Sequence, residues 1–263
     1  MYTLSLSLTS VEGASQLRVG FIPKEFNFSN YARVIESIEI WRGFKNTILR
    51  LALGVPLQLV AVLFTAYPLS KRYFPHRSKW TMFIVFTMFF SGGLIPTYLL
   101  VNNTLHMQNQ VWALILPGLI PTYSMIIMRN FFMALPESIE ESARIDGAED
   151  FTILFRLIVP VSMPIIATIT LWQMVYHWNA WFDCMIYISD MKKHVLQLVL
   201  RRIVMEGTED LMSNNNVMED YIPSNPESVK AASIMVTTIP IIITYPFLQK
   251  YFVKGIMVGS LKG

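Results

Sequence analysis

The sequence predicts an all-α integral membrane protein whose chain crosses the bilayer five times. Three observations carry this. Hydrophobic residues make up 53% of the 263 and charged residues only 15%, with a mean hydropathy of +0.44. An ordinary soluble domain carries roughly 25% charged residues, so much of this surface faces something other than water. Five stretches reach the roughly 20 apolar residues that a hydrocarbon core about 30 Å thick requires of a helix. The chain is also rich in rings, with 17 Phe, 11 Tyr and 6 Trp, and such rings settle at membrane interfaces.

The crossings run, in order, from Thr47 to Leu69, Trp80 to Val101, Val111 to Met133, Ile158 to Ile188 and Ala231 to Phe252. They contain Pro56, Gly92, Gly93, Pro96, Pro117, Pro121, Pro164, Pro240 and Pro246. Spanning helices tolerate such breaks where neighbours or cavity water satisfy the freed backbone groups. They fit either simple packing kinks or helices lining a pathway. Arg50 in the first crossing and Asp183 at the end of the fourth should turn away from lipid, given the cost of charge there.

Orientation follows from basic loops. Lys71, Arg72, Arg77 and Lys79 follow the first crossing with no acid among them, which puts that loop in the cytoplasm. The next loop, Asn102 to Gln110, has no Lys or Arg and lies outside. Alternation places Ala134 to Leu157 inside, Asp190 to Lys230 outside and the C-terminus inside. Lys192, Lys193, Arg201 and Arg202 in the outer loop run against the rule. The same parity leaves the N-terminal stretch outside. Tyr2 to Ser10 reads like the outer end of a further helix, so six crossings are expected of the intact protein. The expected organisation is residues 1–40 as an extracytoplasmic segment with the remnant of a first crossing, 41–252 as the membrane domain and 253–263 as a cytoplasmic tail.

The most informative segment is Leu135 to Pro164. Pro136 suits a first helical turn, and Glu137, Glu140 and Glu141 lie near the positive end of the helix dipole. Glu140 and Arg144 have the favourable i, i+4 order. Leu135, Ile139 and Ala143 share one face. Gly147 sits where a left-handed residue ends a helix, and a second helix starts near Asp150. Ser142 and Ala143 are small enough for close approach of another surface. A cytoplasmic loop built this way is suited to docking a partner, the bland alternative being an amphipathic surface helix with none.

Glu141, Ser142, Ala143, then Asp146, Gly147, Ala148, then Leu157, Ile158, Val159, Pro160 resemble the signature loop of binding-protein-dependent ABC importer permeases, Glu-Ala-Ala, Asp-Gly-Ala, Ile-x-Leu-Pro. Ser142, Leu157 and Val159 depart from that pattern by small changes of volume. The resemblance extends from about Trp41 to Gly263. It includes AYPLSKRYF from Ala66, SGGLIPTYLL from Ser91, HWNAWFDCMIYI from His177 and QKYFVKGIMVGSLKG from Gln249, which look like the carbohydrate branch and its maltose-type second permease subunit. It implies a type I importer transmembrane domain in the bacterial plasma (inner) membrane. The implied partners are a second homologous permease, a dimer of ATP-binding subunits and an extracytoplasmic solute-binding protein, and the implied cargo is a sugar or oligosaccharide.

Residue by residue, the resemblance implies an ATPase-coupling role for Glu140, Glu141, Ser142, Ala143, Asp146, Gly147, Ala148 and Pro160. It implies contact of a C-terminal tail, Gly259, Ser260 and Lys262, with the ATPase dimer. It also implies contact of the outer loop with the binding protein through Glu206, Asn214, Asn215, Asn216 and Tyr221. His177, Trp178, Asn179 and Trp181 could stack on and hydrogen-bond a sugar. The plainer reading, an interfacial aromatic belt with helix packing, is preferred because the other permease subunit of the maltose-type relative holds the sugar.

No Gly-Lys pair occurs, so there is no phosphate-binding loop of the G-x-x-x-x-G-K-[ST] form. The four histidines are scattered without metal-site spacing, the single Cys184 has no partner, and no nucleophile elbow is present. The expectation is a subunit without catalysis or cofactor, driven by a separate ATPase. A net charge of +3 gives no footprint for nucleic acid. The alternatives are a permease for another solute, such as a peptide or phosphonate, and a membrane enzyme acting on lipid-linked sugars. The enzyme would need paired acids or histidines within the crossings, and none is found.

Overall fold

The computed structural model describes residues 2–9, 27–206, 227–240 and 242–243. The expected outer-loop contacts Asn214, Asn215, Asn216 and Tyr221, the tail residues Gly259, Ser260 and Lys262, and residues 241 and 244–252 of the fifth crossing lie outside the described residues. Helices α1 (Tyr2–Ser7) and α2 (Ser29–Glu36) precede α3 (Ile38–Ser70), which is 33 residues long. Then come α4 (Arg77–Phe89), α5 (Leu94–Thr104), α6 (Thr122–Met133), α7 (Ser138–Ile145), α8 (Asp150–Val161), α9 (Met163–Asn179), α10 (Phe182–Tyr187) and α11 (Leu196–Glu206).

Among the described residues one helix, α3, is long and apolar enough to cross a membrane unaided. It runs unbroken through Pro56 and Pro68. The next three expected crossings are each broken. Helices α4 and α5 meet at 110°, the short turns of Val111–Gly118 meet α6 at 51°, and α8 meets α9 at 83°. The sharpest break falls at Ser91–Gly93, where Gly93 has φ of 91°, a conformation open to glycine at no steric cost. In the last pair the bend follows a π-helical turn over Leu154–Ile158 and comes just after Pro160, whose ring nitrogen has no N–H to donate to the helical ladder.

Two compact units form along the chain. The first contains α1, α2, the N-terminal end of α3, residues 108–110, α10, α11 and residues 227–240. Its turns are tied by side chains. Asn46 donates to the carbonyls of Lys192 (2.9 Å) and His194 (3.0 Å), and Thr47 accepts from the Leu196 N–H at the start of α11. Asn109 accepts from the backbone of Ser189 and Asp190. The second unit holds an apolar core in which Val62, Leu63, Ala66, Tyr67 and Leu69 of α3 join Met125, Met128 and Phe132 of α6, Ile153, Leu154 and Ile158 of α8, and Ile166 and Ile169 of α9. The i, i+3, i+4, i+7 recurrence on α3 is that of one buried helical stripe.

That unit also buries a charge. Arg50 has 0% exposure, as does His177, and Gln58 has 1%. Arg50 Nε donates to His177 Nδ1 at 3.0 Å and Nη2 donates to the Leu114 carbonyl at 3.2 Å. His177 Nδ1 therefore accepts, which leaves the proton on Nε2, 2.9 Å from Gln58 Oε1. Gln58 Nε2 in turn donates to the Gly118 carbonyl at 2.9 Å. Both carbonyls belong to the short 3-10 turns where the third crossing is broken. Irregular backbone survives at membrane depth when other groups satisfy it, and Arg50 and Gln58 do so here.

Candidate functional site

The loop singled out by its sequence forms helix–turn–helix as expected, with the first helix starting two residues beyond Pro136. Glu140 and Glu141 lie in the first turn of α7 and Arg144 in the last, both favourable to the dipole. The helix ends on Gly147 at φ of 81°. The Gly147 N–H donates to the Arg144 carbonyl at 3.0 Å, and the Ala148 N–H to the Ala143 carbonyl at 2.9 Å. This is the Schellman arrangement. It brings Ala143 and Ala148 together against the apolar core of the unit.

With the two alanines turned inward, the opposite face is open. Glu141, Ser142, Asp146 and Gly147 are exposed, and the Ser142 hydroxyl donates back to the Ser138 carbonyl. Ile145 is 86% exposed. Sequence reading passed over Ile145, although an isoleucine beside Asp146 and Gly147, off the Leu135–Ile139–Ala143 stripe, is the signal that could have found it. Phe151 of α8 is also exposed. Exposed apolar side chains framed by polar ones mark surfaces that meet a partner.

The same loop is held from behind. Lys71, just past the end of α3, forms an ion pair with Glu140 and lies 4.6 Å over the Tyr67 ring. Both side chains of the pair are largely shielded from solvent. Arg72 pairs with Glu137 at 3.3 Å. Arg144 bonds both the Tyr73 hydroxyl and Asp150 Oδ1 at 2.5 Å, and stacks on the Tyr73 ring. The expected Glu140–Arg144 pairing thus gives way to partners from the 71–73 loop and α8. Burial, then the charge of Asp150, raises the Tyr73 phenol above its usual value. Burial opposes the Arg144 charge, but Tyr73 and Asp150 outweigh it and the guanidinium is held more firmly than usual.

The residues suggested for a sugar path are dispersed in role. His177 is locked in the buried network with Arg50 and Gln58. Trp178 is buried edge-on against Phe44. Asn179 is exposed, and Trp181 is half-buried under the guanidinium of Arg201 at 3.9 Å. Asp183 accepts from the Cys184 N–H. Glu206 closes α11, and Pro160 lies at the bend described above. Among the described residues no group of three or more potential metal ligands forms.

A helical bundle with broken crossings and an exposed, braced loop helix defines a membrane transport subunit. The chain belongs to the family of binding-protein-dependent transport system inner membrane components, whose model matches residues 39–258. It is 38% identical over 264 residues to Protein LplC of Bacillus subtilis (strain 168), covering all of this chain and 88% of that protein. It is 35% identical over 263 residues to the polygalacturonan/rhamnogalacturonan transport system permease protein YtcP of the same organism, covering all of this chain and 91% of the relative. Among solved structures it is similar to a bacterial ABC transporter involved in the import of the acidic polysaccharide alginate. The TM-score there is 0.86, at 33% sequence identity over 95% of this chain and 89% of that one. The chain is accordingly a membrane component of a binding-protein-dependent transport system.

Proposed function

We propose that this chain is one of two permease subunits of a multi-pass importer that takes up acidic, uronate-containing oligosaccharides. In this reading a binding protein delivers the solute and a separate ATPase dimer drives transport. The acidic class is supported by the cargo named for two of the relatives, polygalacturonan and alginate. The single observation that carries the coupling role is the outward face of α7, where Ile145, Asp146 and Gly147 stand free of the core while Lys71 and Tyr73 brace the helix from behind.

The physical logic is that of a lever. An ATPase that moves α7 can move a crossing only if the connection is stiff, and packed, ion-paired interfaces switch between discrete states rather than deforming continuously. The Schellman end and the ion pairs make α7 and the 71–73 turn a stiff piece, so ATP-driven displacement of α7 is carried to the end of α3. Residues 206–221 supply the outer contact with the binding protein, and the C-terminal Gly259, Ser260 and Lys262 reach the ATPase.

The test is a reconstituted complex of this chain with its partner permease, ATPase and binding protein. Oligogalacturonates are expected to stimulate ATP hydrolysis and to be taken up, and neutral maltodextrins are not. Asp146→Lys or Gly147→Pro should leave binding-protein docking intact and abolish the stimulation. Stimulation that survives both changes would remove α7 from the coupling path, and uptake of neutral sugar alone would remove the acidic cargo.

A further inference from the structure

Between the 71–77 loop and α7 lies a cavity of about 440 Å³, lined by the basic Lys71, Arg72, Arg77 and Arg144 and the acidic Glu137, Glu140 and Glu141. Most of these charges are already matched. Lys71 takes Glu140, Arg72 takes Glu137, and Arg144 takes Asp150 from outside the lining. Glu141 is exposed to solvent. Arg77 is left over. Its Nη1 is buried and meets no hydrogen-bond partner, and the charge acting on Arg129 nearby is that same cation. A buried charged donor without an acceptor is costly.

Arg77 also has a telling place in the chain. It is the first residue of α4, a helix of 13 residues none of which is buried. Trp80, Met82, Phe83 and Phe86 are exposed along it, as expected of a helix facing hydrocarbon. The boundary between such a helix and a Lys/Arg loop lies at headgroup depth, where the cytoplasmic leaflet presents anionic phosphates. The N-terminal end of α4 adds the partial positive charge of its backbone dipole.

We propose that this cavity binds the phosphate of an anionic phospholipid of the cytoplasmic leaflet, with Arg77 as the principal ligand and the acyl chains along α4. The phosphodiester supplies the acceptor that Arg77 Nη1 lacks and the negative charge that relieves Arg77 and Arg129. Because α7 forms another wall of the same cavity, the bound lipid stiffens the coupling helix and raises the efficiency with which solute stimulates ATP hydrolysis. The inference rests on the cytoplasmic orientation and coupling role proposed above.

The experiment reconstitutes the full complex in nanodiscs of phosphatidylcholine, with or without phosphatidylglycerol, and reads solute-stimulated ATPase together with lipid retained in native mass spectra. Phosphatidylglycerol should raise stimulation several-fold in the native complex and be retained on it. Arg77→Gln should lose both effects while matching the native complex in phosphatidylcholine. Arg77→Lys, which keeps charge and loses the planar fork, should fall between them, and Lys79→Gln should respond like the native chain. An equal response of native and Arg77→Gln complexes overturns the site. So does an Arg77→Gln defect of the same size in phosphatidylcholine, which would make Arg77 a contact of the ATPase. Inorganic phosphate reproducing the stimulation in phosphatidylcholine would overturn the lipid source. Should Arg77→Gln fail to assemble, lipid retention by the native and Arg77→Lys complexes decides. Absence of solute stimulation in every lipid defeats the importer reading itself, whereas intact stimulation without a lipid response defeats the lipid site alone.

Discussion

Gly54→Ala is the substitution whose sign most sharply tests the buried polar network. Gly54 lies inside α3, where alanine is favoured over glycine by about 1 kcal/mol of helix propensity, so a solvent-facing glycine here would be stabilised by the change. A Cβ at this position, however, would lie 2.8 Å from His177 Nε2 and 3.0 Å from Cε1. His177 cannot swing aside, because it is fully buried and held between Arg50 and Gln58. Overpacking a tight interior costs typically about 1–3 kcal/mol. Displacing the ring breaks the Nε2–Gln58 bond and leaves buried groups unmatched, at about 1–3 kcal/mol more. Set against the propensity gain, the net change is a loss of about 1–5 kcal/mol. The unfolding midpoint of the complex in detergent or nanodiscs should fall accordingly. Gly118→Ala, where a Cβ would meet nothing within 4 Å, is the matched control and should leave the midpoint unchanged. A Gly54→Ala protein as stable as the parent would mean that His177 does not occupy this place, and the network would have to be redrawn.

Three further outcomes follow from the two units. Lys71→Met and Glu140→Gln should each reduce solute-stimulated ATP hydrolysis, and the double variant should be no worse than the more damaging single change, because each single change leaves a largely shielded charge without its partner; additive losses would show that the pair is not a unit. Gly147→Ala should cost about 1–2 kcal/mol through its left-handed backbone alone, since its Cβ would meet no neighbour, and Gly147→Asn should recover part of the lost coupling. Burial holds the His194 imidazole below its usual value, and the Arg202 charge adds to this against the pull of the Ile188 carbonyl. Its neutral form is thus favoured by folding, so stability present above about pH 6.5 should be lost as pH falls below it. A pH series of thermal midpoints should show that slope, and His194→Gln should flatten it.

The loop that carries α7 was legible because its signals are local. Pro136, the acids of the first turn and Gly147 act within one or two helical turns, and they set α7 and its left-handed end almost as read. The helical segments of the first four expected crossings were legible from hydropathy, but their bends were not. Gly92–Gly93 and Pro160 announce that a helix breaks without stating the angle, which tertiary packing decides. Partner choice was least legible. Glu140 and Arg144 stand at ideal helical spacing, yet Lys71 reaches Glu140 across 69 positions and Arg50 reaches His177 across 127. His177 was read as a sugar ligand or a belt residue. The clue to its place was that Arg50 and Gln58 also lie in an apolar stretch, and polar groups at that depth must find one another.

The two polar clusters of the second unit solve opposite problems. In the apolar interior Arg50 donates to the His177 imidazole and to the Leu114 carbonyl. The carbonyls of the broken turns at Leu114 and Gly118 thereby gain donor partners in Arg50 and Gln58, which stabilises backbone that lipid would otherwise exclude. At the loop end, Arg72 and Arg144 are matched by full carboxylates within reach of water, where ion pairs can be broken and remade at modest cost, while the Lys71–Glu140 pair is largely shielded and costly to break. In the coupling reading proposed above, the shielded Lys71–Glu140 pair ties α7 to the end of α3, and the exposed pairs beside it are contacts that a docking subunit can reorganise.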